Sequence, residues 1–286
     1  MRSIDPETTF TPSDFTTSYA ECFDMTFTST KGARIHAKFA RPKNLTGKAP
    51  AVLFFHGLSG SCREWDALMG YVAEGFVVSA MDCRGQGGQS EDSASYIGST
   101  YSTPFVRGVD GDPNGLYYRD VYLDCAMLAR IVMGLDYVDE TRVGCTGGSQ
   151  GGGLSIACAS LVPEIKLCAP LYPYLSDYRR VWNMDLDKSA YEGINYYFRH
   201  FDPTHEREDA FFEKLGYIDI QFLAQRIRGE VLMFTGLMDN VCPPSTQFAT
   251  YNKITAKKNM VIYPDFGHET LPHAGEKIFM FLTKGL

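Results

Sequence analysis

Twelve residues constrain what this chain can become: Val143-Gly144-Cys145-Thr146-Gly147-Gly148-Ser149-Gln150-Gly151-Gly152-Gly153-Leu154. A short β-prone run enters a burst of glycines around one serine, then leaves as small residues that suit a helix. Gly147, Ser149 and Gly151 fit G-x-S-x-G, in which a serine sits on a strained turn between a strand and a helix, its hydroxyl pushed into solvent. Side chains beside that serine would collide with the strand or the helix, so glycine flanks it. The following helix points its N-terminal amides at any oxyanion that forms there. A glycine-rich phosphate turn has similar letters, so the pattern alone does not decide the chemistry.

The surroundings must then supply strands and helices in alternation. Residues 51–56 (AVLFFH) and 76–80 (FVVSA) are short, continuously apolar runs, as expected for strands covered on both faces. A helix fits 64–74 between them. Before them, the alternating runs 22–28 and 33–40 read as a hairpin ended by Arg41-Pro42, and residues 1–20 read as a loose polar arm. Residues 86–115 are rich in Gly, Ser, Asp and Thr, a length that marks a functional loop. Residues 117–134 form a helix with Val121, Cys125, Leu128 and Val132 on one buried face. Strand 142–146 feeds the serine turn, 154–161 is the helix after it, and 165–169 is the next strand. Residues 171–229 are aromatic, charged and helical in pattern, and they interrupt the alternation as a cap would. Strand 231–235, helix 245–253, strand 259–263 and an amphipathic helix at 274–282 complete the chain. The reading is one α/β domain over 1–286, with arm and hairpin at 1–42 and a helical insertion near the active site at about 171–229.

A serine hydroxyl needs a base, and a histidine base needs an acid to hold its tautomer. In the α/β-hydrolase arrangement, a mostly parallel twisted sheet with helices on both faces, the order is serine, acid, histidine, each just past a strand. Asp239 follows VLMFTGLM, and His268 follows NMVIYPDFG. Asp239 also suits an Asx-turn. Asp265 and Glu269 are rival acids, but neither has a strand of its own. The oxyanion donors expected are the backbone amides of Gln150 and, from the loop His56-Gly57-Leu58-Ser59-Gly60, of Leu58. His56 is read as structural, and His36, His200, His205 and His273 as uninvolved. The catalytic set is therefore Ser149, Asp239 and His268.

The 286 residues are 44% hydrophobic with a net charge of −7, enough for a large core and unsuited to nucleic acid or an anionic membrane. Eight cysteines show no C-x-x-C pairing and read as reduced, buried small hydrophobes. No metal is expected. The first residues, MRSIDPETTFTPSDF, lack the apolar run of a signal peptide. No stretch reaches the ~18 apolar residues of a membrane span. A cytoplasmic location is the expectation.

With these residues placed, the chain resembles carbohydrate esterase family seven, the acetyl xylan esterase and cephalosporin C deacetylase group. The matching pieces are Arg84-Gly85-Gln86, Gly147 to Gly153, His268-Glu269, Leu116-Tyr117-Tyr118-Arg119, and Gly236 to Thr246. The resemblance runs from about Phe23 to the C-terminus. It implies a serine esterase that removes acetyl groups from small acetylated xylo-oligosaccharides and cephalosporins through an acetyl-enzyme, with no cofactor, as a homo-oligomer, a ring-shaped hexamer in the family. The family usually has a longer N-terminal helical segment, and often tyrosine where this chain has Leu58. Rival readings are a cinnamoyl or short-chain carboxylesterase, and a serine peptidase of the prolyl oligopeptidase type. Arg84 is read as tying loops through carboxylates. Tyr172, Tyr174, Trp182, Tyr196, Tyr197 and Phe198 are read as cap core rather than a sugar platform.

Overall fold

The computed structural model describes residues 6–95 and 103–286. Residues 1–5 of the expected arm and 96–102 of the expected loop lie outside the described residues. The elements in order are β1 (Thr9–Pro12), β2 (Ala20–Thr28), β3 (Arg34–Pro42), β4 (Ala49–Phe55), α1 (Asp66–Ala73), β5 (Val77–Met81), α2 (Tyr117–Met133), β6 (Val138–Gly148) and α3 (Gln150–Leu161). There follow β7 (Leu167–Leu171), α4 (Tyr178–Asn183), α5 (Glu192–Phe201), α6 (Glu208–Leu215), α7 (Ile220–Leu223), β8 (Glu230–Gly236), α8 (Pro244–Lys253), β9 (Lys258–Tyr263) and α9 (Ala274–Gly285).

The nine strands among the described residues join one sheet in the order β1-β2-β3-β5-β4-β6-β7-β8-β9. The first three are antiparallel, and from β5 to β9 every neighbouring pair is parallel. The continuous apolar runs are explained by burial on both faces. In β4, Ala51, Leu53 and Phe55 pack into the core on one side, with α2 and α3, while Val52 and Phe54 pack on the other, with α1 and α9. This is the α/β-hydrolase architecture, with helices on both faces of a mostly parallel sheet.

Three expectations need correction. The arm is not wholly loose: Thr9–Pro12 adds an edge strand to β2, anchored by Phe10, whose ring lies 5.0 Å from that of Phe39. One phenylalanine in a polar stretch carries too little periodicity to announce a strand. The helix after the serine starts at Gln150 rather than 154. Glycine propensity argues against helix there, but tertiary crowding needs those glycines. The expected loop 86–115 holds two short 3-10 turns, Pro104–Val106 and Pro113–Gly115. The insertion between β7 and β8 contains helical elements and no strand among its residues.

Register brings the working end of the sheet level. Phe55 pairs with Gly147, Gly148 with Leu171, Leu171 with Phe234, and Gly236 with Tyr263. Five strands therefore end side by side, and the loops that leave them meet above the carboxyl edge, where open α/β sheets bind ligands. Among the described residues no helix is long and apolar enough to cross a membrane.

Candidate active site

The serine turn is strained as its sequence demands. Ser149 has φ 57° and ψ −118°, a left-handed conformation rarely held by a residue with a side chain. A Cβ on Gly147 or Gly151 would run into the Phe55 carbonyl, so β4 approaches the turn too closely for any other residue. Gly148 differs, since a Cβ there would meet the Tyr172 ring only at 3.4 Å. The turn is also braced from β7: Ser149 N–H donates to Leu171 O (3.0 Å), and Tyr174 N–H donates to Ser149 O (3.0 Å).

The three sequence-predicted partners meet. Ser149 Oγ lies 3.0 Å from His268 Nε2, and His268 Nδ1 lies 2.8 Å from Asp239 Oδ2. A carboxylate on Nδ1 keeps the proton there and leaves Nε2 as an acceptor for the serine hydroxyl. Asp239 is buried, and its two oxygens divide the work. Oδ1 accepts from the amides of Val241 (2.9 Å) and Cys242 (2.8 Å), closing an Asx-turn, while Oδ2 faces the histidine. The turn role and the triad role coexist. The rival acids stand apart: Asp265 is exposed, and Glu269 accepts from Gly267 N–H through Oε1. Cys242 is buried beside Ser149, and burial pushes its thiol well up, so it stays protonated and is no rival nucleophile.

Two amides are free to serve an oxyanion. Gln150 opens α3, so its N–H has no carbonyl one turn back. Leu58 N–H makes no hydrogen bond to any described residue. Their segments are linked by a side-chain pair that the sequence reading did not place. The amides of Gln86 and Gln150 bond reciprocally, Gln86 Nε2 to Gln150 Oε1 at 2.8 Å and Gln150 Nε2 to Gln86 Oε1 at 3.1 Å. Gln86 Oε1 also accepts from Ser59 N–H (2.9 Å), next to Leu58, and Gln150 Oε1 accepts from Tyr118 Oη (2.7 Å). The residue types were visible in the motifs; their meeting across 64 positions was not.

Both feet of the Leu58 loop are held by histidines. His56 is neutral: Nδ1 donates to Gly57 O (2.7 Å), Nε2 accepts from Cys83 N–H (2.9 Å), and burial lowers its pKa. This agrees with its structural reading. His36, set outside the chemistry by the sequence reading, has a structural role of its own. Its Nδ1 lies 2.7 Å from Asp82 Oδ2 and its Nε2 3.0 Å from Asp24 Oδ1. Burial alone would lower its pKa, but hydrogen bonds to Asp82, Cys62 and Asp24 outweigh it and raise it to about 10. Asp82, whose burial is outweighed by His36 and by the Gln89 and Cys62 amides, is held well below the carboxylate range. Its Oδ1 accepts from Cys62 N–H (2.6 Å), which ends the loop.

His36, Cys62 and Asp82 place ligand-type atoms within 4.8 Å of one another. The His36–Asp82 contact has hydrogen-bond length, however, and both Asp82 oxygens are engaged by donors, so the arrangement is that of an ion pair rather than an open cation cage.

Arg84 is structural, as read. It is fully buried and bonds Asp124 through Nε (2.7 Å) and Nη2 (2.6 Å), joining β5 to α2 and the hairpin turn. Of the six insertion aromatics, Tyr174, Tyr197 and Phe198 are buried, and Trp182 packs on Phe198 at 4.8 Å. Tyr196 stacks on His200 (4.0 Å). Tyr172 departs from the reading, because its ring lies 4.6 Å from that of His268.

Residues 1–285 match the acetyl xylan esterase (AXE1) family. The chain belongs to that family. The acetyl xylan esterase 1 of Thermoanaerobacterium sp. JW/SL YS485 is 52% identical with a TM-score of 0.98, covering 99% of this chain and 89% of that one. An acetyl xylan esterase from Paenibacillus sp. R4 is 33% identical with a TM-score of 0.95, over 100% and 90% of the two chains. Acetyl esterase Axe7A of Xylanibacter ruminicola is 28% identical over 274 residues, 94% of this chain and 60% of that protein. The chain thus spans about three fifths of that curated relative's length. A dipeptidyl aminopeptidase IV-like protein from Bacteroides ovatus, 17% identical with a TM-score of 0.67, shares the fold alone.

Proposed function

We propose that this member of the acetyl xylan esterase family is a serine esterase that removes acetyl groups from small acetylated carbohydrates. The observation that carries the reading is the unbroken line Ser149–His268–Asp239, with the Gln150 amide at the start of the helix that follows the serine. His268 Nε2 takes the hydroxyl proton as Ser149 Oγ attacks the acetyl carbonyl, and Asp239 stabilises the imidazolium that results. The amides of Leu58 and Gln150 hold the oxyanion, each contributing roughly 3 kcal/mol in sites of this kind. The C–O bond to the alcohol breaks, and His268 returns the proton to the departing oxygen. Water, deprotonated in turn by His268, then attacks the acetyl-enzyme and releases acetate. No step asks for a metal or cofactor.

The finer reading extends to the 3′-acetoxy group of cephalosporin C, to a homo-oligomer, a hexamer by resemblance, and to the cytoplasm. Family membership and the 52% identity to an acetyl xylan esterase support the acetyl preference. It is tested by one rate series over acetate, butyrate and ferulate esters of a common leaving group. Acetate should be fastest. A pocket wall discriminates one methylene by only about 10- to 200-fold, so a flat or reversed series would replace the acetyl reading with a short-chain or cinnamoyl esterase and leave the triad standing.

A further inference from the structure

We propose that Tyr172 determines specificity for the alcohol half of the ester, its hydroxyl hydrogen-bonding a hydroxyl-rich leaving group such as a sugar. The proposal rests on the esterase reading above and adds a residue and a direction to it.

Tyr172 stands in the turn after β7 with φ 29°, a positive value that a residue with a side chain adopts only when its surroundings impose it. They do so here. Leu171 O accepts from Ser149 N–H, Tyr174 N–H donates to Ser149 O, and Tyr172 N–H donates to Phe234 O at 2.7 Å. The residues on both sides of Tyr172 are tied to the backbone of the nucleophile itself, so its side chain is fixed relative to Ser149.

The side chain goes to the reacting centre. Its ring packs on the His268 imidazole at 4.6 Å between centroids, tilted by 54°. Over Gly148, a methyl group would stand 3.6 Å from the Tyr172 hydroxyl, so the phenol lies just above the residue preceding the nucleophile. Tyr172 is half-buried, and its hydroxyl bonds no described residue. Tyr117, Tyr118, Tyr122 and Tyr174, by contrast, all donate to protein oxygens. Burial, with Asp239 and Cys242 near, raises the Tyr172 pKa, so the hydroxyl keeps its proton and remains a donor.

Chemistry assigns the side of the substrate. The amides of Leu58 and Gln150 take the carbonyl oxygen, whereas His268 returns the proton to the leaving alcohol. A group packed against His268 is therefore beside the alcohol. A neutral phenol both donates and accepts, which suits a sugar hydroxyl, and it offers nothing of that kind to a plain aromatic leaving group.

The test compares kcat/KM for an acetylated xylobiose with that for p-nitrophenyl acetate, in wild type and Tyr172→Phe. The phenylalanine keeps the packing on His268 and removes only the hydroxyl. One neutral hydrogen bond predicts that the ratio of sugar acetate to nitrophenyl acetate falls by roughly 3- to 10-fold. Tyr172→Ala, which also removes the ring, should lower both rates. An unchanged ratio in Tyr172→Phe, with both substrates cleaved by the wild type, overturns the role of Tyr172 alone. A wild type that cleaves nitrophenyl acetate but no sugar acetate overturns both that role and the carbohydrate reading.

Discussion

Among the described residues two His–Asp pairs have nearly equal length, His268–Asp239 at 2.8 Å with a half-buried imidazole and His36–Asp82 at 2.7 Å with a buried one, and they do opposite things. In each, a carboxylate faces Nδ1. The difference lies at the other nitrogen. His268 Nε2 meets the Ser149 hydroxyl, which has a proton to give, so that nitrogen is placed to accept it. His36 Nε2 meets a second carboxylate, Asp24, which has none, so both ring nitrogens must carry protons and the ring is a fixed cation. A carboxylate beside a histidine thus says little about function until the second partner is known. On the proposed mechanism one pair moves a proton; the other clamps the end of the loop that carries Leu58.

The comparison can be broken from either side. The largest expected effect is at the working pair: Asp239→Asn keeps an oxygen for the Val241 and Cys242 amides but presents NH2 to His268. The wrong tautomer should lower kcat by about 10^4-fold, while the melting temperature changes little. A kcat within 10-fold of wild type would deny Asp239 its role.

His36→Leu should do the reverse. It leaves Asp82 as an uncompensated buried charge, a loss of about 3–5 kcal/mol of unfolding free energy measured in urea. The residual folded enzyme should keep the shape of the wild-type pH–rate profile. Loss of activity without loss of stability would place His36 in the chemistry instead.

The clamp also carries a pH signature. A histidine whose folded pKa is raised stabilises fully below its unfolded value of about 6.5 and loses that contribution as pH climbs through the folded value. For His36 the window runs from about 6.5 to about 10. The stability gap between wild type and His36→Leu should therefore narrow as pH rises from 6.5 to 10, in paired denaturant melts. A gap that widens over that range would mean that His36 is neutral in the folded protein.

The smallest expected effect lies between the two pairs. Gln86→Leu removes the acceptor of Ser59 N–H and the partner of the Gln150 amide, loosening the two oxyanion segments relative to each other. Losing one donor outright costs about 10^2- to 10^3-fold, so misalignment should cost roughly 10-fold in kcat with KM nearly constant. An effect confined to KM would make Gln86 a substrate contact.

The same contrast shows what sequence can reveal. The triad was legible because each member follows a short apolar, β-prone run, buried in β6 and β8 and only partly covered in β9, and because the order serine, acid, histidine follows the order in which the strands are laid down. The glycines at 147 and 151 were legible for a steric reason that the close Phe55 carbonyl bears out. The clamp was not. Asp24, His36 and Asp82 come from three separate strands or their ends, 12 and 46 positions apart, and no local pattern marks them as neighbours. Tyr172 was misplaced with the cap aromatics because composition registers a ring but not the turn that swings it toward His268. The edge strand at Thr9–Pro12 escaped because its burial rests on Phe10.

The central claim, that Ser149 is the nucleophile and His268 its base, is met most directly by covalent trapping. Incubation with a p-nitrophenyl alkylphosphonate, followed by peptide mass spectrometry, should place a single adduct on Ser149 in step with loss of esterase activity, and His268→Gln should label far more slowly. Full activity in a protein labelled at Ser149, or inactivation with the adduct elsewhere, would contradict it.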